Sequence, residues 1–313
     1  LYKKLSIGVV VPAYNEEKLI LKTLSTLPTF VDHVVVVNDA STDNTLRVVK
    51  KYANKDPRVT ILNNTENHGL GYGLKKGLKK GVELGCDRLA IMAGDAQMDP
   101  DYLNKLLDAV DKYRLDYVKA NRFMDYEALQ AMPKYRKFGN ILVTMLTKFA
   151  TGYYTIFDTQ NGYAVYTKDV VERIPWPLVG DRYEYENTIL IALSIINAKV
   201  KDYPIPAIYG QEKSTIKLFS TVSRVLKILF FGFWKRIYYK YVIYGFHPIA
   251  LFVLAGTVLN SVGVIAAIYL LVSKIAYNIT PSAASVMLVA LPLILGMQMF
   301  FTALILDVIE EKR

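Results

Sequence analysis

Leu89–Pro100, LAIMAGDAQMDP, is an apolar run that stops at Gly94 and then offers three polar side chains, Asp95, Gln97 and Asp99. A buried strand that ends by presenting a carboxylate and an amide is suited to holding a divalent cation against a diphosphate. A simpler reading is also open, with Asp99 as a helix N-cap and Pro100 at the first helical position. Two earlier apolar runs end in a similar way. Leu5–Val11 leads into Pro12, Tyr14, Asn15 and Glu16, and His33–Val37 leads into Asn38-Asp39-Ala40-Ser41-Thr42-Asp43. Polar groups at the ends of successive buried strands form one ligand site when those strands lie parallel in one sheet.

The elements between them fit that requirement. Asn15 is expected to cap a helix reaching Leu27, with Glu16 and Glu17 in its first turn. Thr42 or Asp43 is expected to cap the next helix, to about Ala53, and Arg58–Leu62 reads as a third strand. Gly69–Leu84 is a helical stretch with glycine at 69, 71, 73, 77 and 81. No G-x-G-x-x-G follows a strand there, which excludes a nicotinamide-type site; close packing of a helix on a sheet explains the glycines. Asp87–Gly94 is a strand, Asp99–Tyr113 a helix, Asp116–Asn121 a strand and Ala131–Thr151 a helix. Tyr163–Tyr166 is a short strand, Gly180–Ala198 contains an apolar helix, and Val200–Ile208, interrupted by Pro204 and Pro206, suits an edge strand. This alternation predicts an α/β fold with an open, mostly parallel sheet, binding its ligand beyond the carboxyl ends of the strands.

Composition then bounds the class. The single cysteine, Cys86, excludes an internal disulfide, and three scattered histidines offer no zinc site. Net charge is +10, yet Lys213–Leu306 contains eight basic residues and no Asp or Glu. Placed just before a hydrophobic segment, such charge points to an anionic membrane surface and not to nucleic acid. From Lys217 to Tyr244 apolar residues recur at helical spacing among basic residues and Trp234, as in an interfacial amphipathic helix. Phe246–Val272 gives 27 residues without a charge and Ala283–Leu306 gives 24. Each exceeds the roughly 20 residues needed to span the hydrocarbon, so two transmembrane helices are expected. Basic flanks on both sides of the pair place the α/β domain on the cytoplasmic face. The expected organisation is a catalytic domain over 1–212, a basic interface segment over 213–244 and a two-helix membrane domain over 245–313.

Taken in order, Val11-Pro12-Ala13-Tyr14-Asn15-Glu16-Glu17, Val37-Asn38-Asp39-Ala40-Ser41-Thr42-Asp43-Asn44-Thr45, Asn67-His68-Gly69 and Gly94-Asp95-Ala96-Gln97 resemble family-2 inverting glycosyltransferases of the GT-A fold. Asn121-Arg122-Phe123, Asp158-Thr159-Gln160-Asn161-Gly162-Tyr163 and Glu212-Lys213-Ser214 resemble the polyprenyl-phosphate (dolichyl-phosphate) subgroup. The resemblance covers roughly residues 5 to 217. It implies transfer of one sugar from a nucleotide donor to a membrane polyprenyl phosphate, with Mg²⁺ or Mn²⁺. It implies that Pro12, Tyr14, Glu16, Asp39, Asp95, Ala96 and Gln97 bind the nucleotide sugar, with Asp95 and Gln97 as metal ligands. Arg122, Arg136, Lys213 and Ser214 are the candidates for the acceptor phosphate, and Asp95, Asp158 and Arg122 for catalysis; Glu184 and Glu186 lie where other members place a catalytic carboxylate. The subgroup's commonest D-x-D-x-Q has Ala93 here at its first position, which leaves Asp95 as the principal acidic ligand. The Asp158–Tyr163 stretch resembles the glucosyl branch more than the mannosyl one, which implies a UDP-sugar in preference to GDP-mannose. Two alternatives stand beside this reading: a glycolipid or glycan acceptor, and a non-catalytic nucleotide-sugar-binding membrane protein. Self-association through the transmembrane helices is a further expectation.

Overall fold

The structure, a computed structural model, describes residues 1–122, 134–206, 218–245 and 247–311. It divides into two compact units, Leu1–Phe233 and Trp234–Arg313.

In the first unit seven strands form one sheet: β1 (Ile7–Ala13), β2 (His33–Asn38), β3 (Val59–Asn63), β4 (Arg88–Ile91), β5 (Tyr117–Asn121), β6 (Ala164–Thr167) and β7 (Val200–Pro204), in the order β3-β2-β1-β4-β6-β5-β7. β1, β2, β3 and β4 run parallel, so the loops that follow them gather at one edge. β6 is the exception: it lies antiparallel between β4 and β5. β7 pairs parallel with β5 at the sheet edge, as its prolines predicted.

The central strands are apolar on both faces because helices cover both. Val9, Val11, Val34 and Val36 belong to one buried cluster, with α1 (Ile20–Ser25), α2 (Thr45–Ala53) and α4 (Leu103–Tyr113). Val10, Val35 and Val37, pointing the other way by the period of two, pack with α3 (Leu70–Glu83), α6 (Lys168–Arg173) and α7 (Tyr185–Ile195). α5 (Lys134–Thr151) follows the residues after Arg122.

α3 sits close on the sheet through its glycines. A Cβ at Gly77 would lie 2.3 Å from Val10 Cγ1 and 3.1 Å from Val37 Cγ2, both stiff, buried side chains, whereas one at Gly73 would meet only Val37 Cγ1 at 3.5 Å. Alanine gains about 1 kcal/mol over glycine inside a helix, and overpacking costs about 1–3 kcal/mol. Gly73→Ala is therefore expected to stabilise the chain by about 0.5–1 kcal/mol and Gly77→Ala to destabilise it by about 1–2 kcal/mol. Unfolding of the two variants in detergent reads the opposite signs.

The helix expected from Asn15 starts later. Asn15 has φ +57°, in the left-handed region, and Glu16 and Glu17 belong to the loop. The Asn15 side chain is used across the loops, accepting from the Thr42 N–H at 2.8 Å. The helix after β2 likewise starts at Thr45, where the Asp43 carboxylate accepts from the Thr45 N–H at 2.9 Å. Asp99 behaves as the simpler reading had it: it accepts from the Asp101 N–H at 2.9 Å and opens a 3₁₀ turn, Pro100–Tyr102, ahead of α4.

α8 (Leu218–Arg236) runs from the first unit into the second and continues as a π-helical stretch, Ile237–Ile243. Two helices long and apolar enough to cross a membrane follow, α9 (Pro248–Tyr277) and α10 (Ala283–Glu311). Within this unit the buried Arg236 guanidinium grips buried Asp307 with two bonds, 2.7 and 2.8 Å, and the Tyr241 hydroxyl donates to the same carboxylate. A bidentate pair of this kind satisfies both charges without water.

Candidate active site

Four loops at the carboxyl edge of the sheet are stitched together in sheet order. The Gly94 N–H donates to the Pro12 carbonyl at 3.2 Å, joining the β4 and β1 loops. Asn15 N–H to Ser41 Oγ (3.0 Å), Glu16 N–H to Thr45 Oγ1 (2.7 Å) and Glu17 N–H to Asp43 Oδ2 (3.1 Å) join the β1 and β2 loops. Asp39 joins the β2 and β3 loops: it is buried and accepts from the His68 N–H (3.1 Å), the Gly69 N–H (2.8 Å) and Asn64 Nδ2 (2.8 Å). Asp39 thus fixes the entry to α3, where Gly69 takes φ +98°, a conformation that favours glycine.

Asp95 sits in the turn beyond β4, partly exposed, with one oxygen accepting from the Gln97 N–H at 3.1 Å. Ala96, between them, has φ +55°, costing about 1 kcal/mol for a residue with a Cβ. The turn is held by Thr23, buried on α1, whose hydroxyl accepts from the Ala96 N–H at 3.1 Å and donates to the Gly94 carbonyl at 3.1 Å. Thr23 was invisible to motif reasoning because it lies in an unremarkable amphipathic helix more than seventy residues away. Glu16 lies against the same turn: a Cβ on Gly94 would be 3.5 Å from its Cγ. Pro12 is partly buried at the end of β1, and Tyr14 is 47% exposed. Among the described residues no three His, Cys, Asp or Glu side chains converge as a metal cage. One carboxylate and one amide, with a diphosphate and water supplying the rest, is a donor set that suits Mg²⁺ or Mn²⁺.

Arg122 and Asp158, expected as separate site residues, form one unit. Asp158 is fully buried and accepts from Arg122 Nε (2.8 Å), Nη2 (3.2 Å) and backbone N–H (3.1 Å). Its carboxylate is therefore the counter-ion that orients Arg122, whose side chain is 40% exposed. The Arg136 side chain, Lys213 and Ser214 lie outside the described residues. Glu184 accepts from the Arg182 N–H at 3.3 Å in the loop before α7. Glu186 is largely buried and paired with Lys119, itself fully buried on β5.

Asp202, on β7, completes this second cluster and had no sequence signal beyond an acidic residue in an edge strand. Its Oδ2 accepts from Asn121 Nδ2 (2.8 Å) and from the Phe157 (2.6 Å) and Asp158 (3.4 Å) N–H groups, while Oδ1 is buried without a partner. Burial, aided by the nearby Asp158 charge, pushes its pKa up to about 6 against the opposing backbone donors and Lys119. Because the folded pKa lies above the unfolded value near 4, the native state binds the extra proton between those limits. Stability from this group is present below about pH 4 and lost as pH rises through about 6. Relative to Asp202→Asn, the wild type is expected to lose on the order of 2 kcal/mol between pH 4 and 7. Unfolding of both proteins across that range measures it; parallel curves would remove the shift.

A profile of glycosyl transferase family 2 matches residues 8–175, which takes in all four stitched loops. The chain belongs to glycosyl transferase family 2. Among its relatives is a UDP-N-acetylglucosamine–dolichyl-phosphate N-acetylglucosaminyltransferase of Methanococcus voltae, 29% identical over 218 residues, covering 66% of this chain and 86% of the relative. A dolichyl-phosphate β-glucosyltransferase of Trichomonas vaginalis is 27% identical over 253 residues, 73% of this chain and 75% of its own. A polyprenol monophosphomannose synthase of Mycolicibacterium smegmatis is 29% identical over 171 residues, 53% and 63% of the two chains. Glucosyl-3-phosphoglycerate synthase of Mycobacterium tuberculosis, solved with Mn²⁺, UDP and glucosyl-3-phosphoglycerate, superposes with a TM-score of 0.57 at 15% identity. That match covers 74% of this chain and 80% of the other, and shows the shared GT-A-like fold.

Proposed function

We propose that this family-2 glycosyltransferase moves one sugar from a UDP-sugar to a membrane polyprenyl phosphate, inverting the anomeric carbon. The observation that carries the proposal is the joining, in one chain, of the stitched strand-end site with two helices long enough to span a bilayer. The names of the Methanococcus, Trichomonas and Mycolicibacterium relatives support the acceptor class, and the first supports UDP. Residues 1–212 serve as the catalytic domain on the cytoplasmic face, 213–244 as the basic interface and 245–313 as the membrane anchor. An apolar face on α5, with Ile141, Met145 and Phe149 exposed, suits a site working against lipid.

The chemistry asks little of a base. A phosphate monoester has its second pKa near 6, so at neutral pH its oxygen is already a nucleophile. That oxygen attacks the anomeric carbon, the new C–O bond forms on one face and the bond to the nucleoside diphosphate breaks on the other. Asp39, Tyr14, Pro12 and Glu16 bind the nucleoside; Asp95 and Gln97, with Ala96 between them, face the diphosphate. Asp95 and Gln97 would hold a divalent cation, which when bound would supply positive charge against the departing diphosphate. Arg122, oriented by Asp158, receives the acceptor phosphate together with Arg136, Lys213 and Ser214. A long isoprenoid stays in the bilayer, since exposing each CH₂ costs about 0.8 kcal/mol.

The test is purified chain in detergent or vesicles with Mn²⁺ or Mg²⁺, a polyprenyl phosphate, and radiolabelled UDP-N-acetylglucosamine, UDP-glucose or GDP-mannose. The expected result is label in the lipid phase with a UDP-sugar and none without polyprenyl phosphate. Absence of lipid-linked sugar with every donor would overturn the proposal.

A further inference from the structure

α9 and α10 meet through small residues. A Cβ on Gly256 would lie 2.9 Å from the Gly296 carbonyl, and one on Gly296 would lie 2.8 Å from Asn260 Nδ2. Asn260 itself is satisfied by the Gly256 carbonyl at 2.7 Å. Ala303 and Asp307 share the buried face of α10 with Gly296. Gln298 is two residues beyond Gly296, about 200° around the helix, and so points away from α9. It is exposed, and among the described residues its side-chain amide has no hydrogen-bond partner. Around it the same face is apolar and exposed: Leu291 (52%), Ile294 (64%), Phe301 (57%) and Ile305 (60%). Gln298 stands fifteen residues from Ala283 and thirteen from Glu311, near the middle of the span. The shallow groove beside it is lined by Met297, Thr302 and Ile305 among others.

An uncompensated carboxamide at the centre of the hydrocarbon is unfavourable, and a lipid chain has no group to satisfy it. A second copy of the same helix does. A carboxamide is both donor and acceptor, so it complements itself, and two copies inserted in the same sense bring Gln298 to the same depth without any adjustment. We infer that the outer face of α10 is the contact between two copies of this chain, with the two Gln298 amides hydrogen-bonded to each other near the membrane midplane. The inference rests on α9 and α10 spanning the bilayer but not on the sugar donor or acceptor, so an inactive preparation still tests it.

The experiment uses the full chain, singly labelled with donor or acceptor fluorophore and diluted in phosphatidylcholine vesicles. Energy transfer is expected for the wild type, and Gln298→Leu is expected to weaken self-association by roughly 3- to 30-fold, the worth of one such bond in a bilayer. In a second arm Ile294→Cys, which leaves Gln298 in place, forms a disulfide-linked dimer under mild oxidant, while Leu254→Cys on the exposed face of α9 does not. Cys86 is buried with its thiol pushed up to about 11 and stays silent. Monomers in vesicles, equal association of the wild type and Gln298→Leu, or cross-linking through Leu254→Cys but not Ile294→Cys would each overturn the inference.

Discussion

Asp95→Ala is expected to lower sugar transfer by about 10³-fold while the unfolding midpoint stays close to the wild type. The size follows from what is left. Removing one preorganised group that stabilises developing transition-state charge typically costs about 10²–10³ in rate. Here the neighbouring position that resembles a second carboxylate site is Ala93, and Asp99 is occupied as the cap of the 3₁₀ turn. Asp95→Ala therefore strips the turn of the one carboxylate proposed to hold the cation. The structural cost is small, because the side chain, which accepts from the Gln97 N–H, lies in a partly exposed turn that Thr23 also holds. Single-turnover transfer at saturating Mn²⁺, together with thermal unfolding, separates the two effects. Ala93→Asp tests the same logic from the other side: a second carboxylate is expected to lower the Mn²⁺ concentration needed for half-maximal rate. Full activity in Asp95→Ala would remove Asp95 from the site, and a collapse of its unfolding midpoint would make it a structural residue.

The parts of this site that were legible in the sequence are those carried by local pattern. Buried strands announce themselves as unbroken apolar runs, and the polar residues after them, Asp39 and Asp95, fall at the ends of the two strands that flank β1, on one edge of the sheet, because parallel strands leave them nowhere else to go. The uncharged lengths of α9 and α10 were equally plain. What was hidden is carried by contacts between distant segments. Asn15 looks like a cap by composition, yet it serves better bridging to Thr42 with a left-handed backbone, which asparagine tolerates. β6 is antiparallel, and a four-residue apolar strand gives no sign of direction. Thr23, Lys119 and Asp202 matter through bonds to residues 67 to 81 positions away but read as ordinary helix or strand residues; what marks them is burial, which no single-sequence pattern reports. Arg122 and Asp158 each stand in a motif, but their pairing is not legible there, since two motifs of opposite charge do not declare that they neutralise each other.

Lys119 and Glu186 carry the largest expected effect on stability, and they also decide whether Glu186 does chemistry. Lys119 is fully buried on β5, its ammonium bonded to a Glu186 carboxylate that is itself only 12% exposed. Glu186 stands in the first turn of α7, where the helix dipole favours a negative charge, and beneath Gly162, whose Cβ would lie 3.4 Å from its Oε1. Removing one member of a buried pair strands the other charge in a medium that solvates it poorly, at a cost of about 3–5 kcal/mol. Glu186→Gln and Lys119→Met are each expected to destabilise the chain by that amount. The double variant is expected to recover most of it, because no lone charge remains. Activity then discriminates. A dianionic phosphate acceptor needs no strong general base, so the stable double variant is expected to keep transfer within about tenfold of the wild type at neutral pH. If Glu186 instead takes a proton or holds the sugar, the double variant folds well and still loses about 10³-fold in rate, because neither its glutamine nor its methionine restores a carboxylate at that place. Unfolding and single-turnover rates measured on all four proteins of the cycle separate the pair's structural energy from any catalytic share of Glu186.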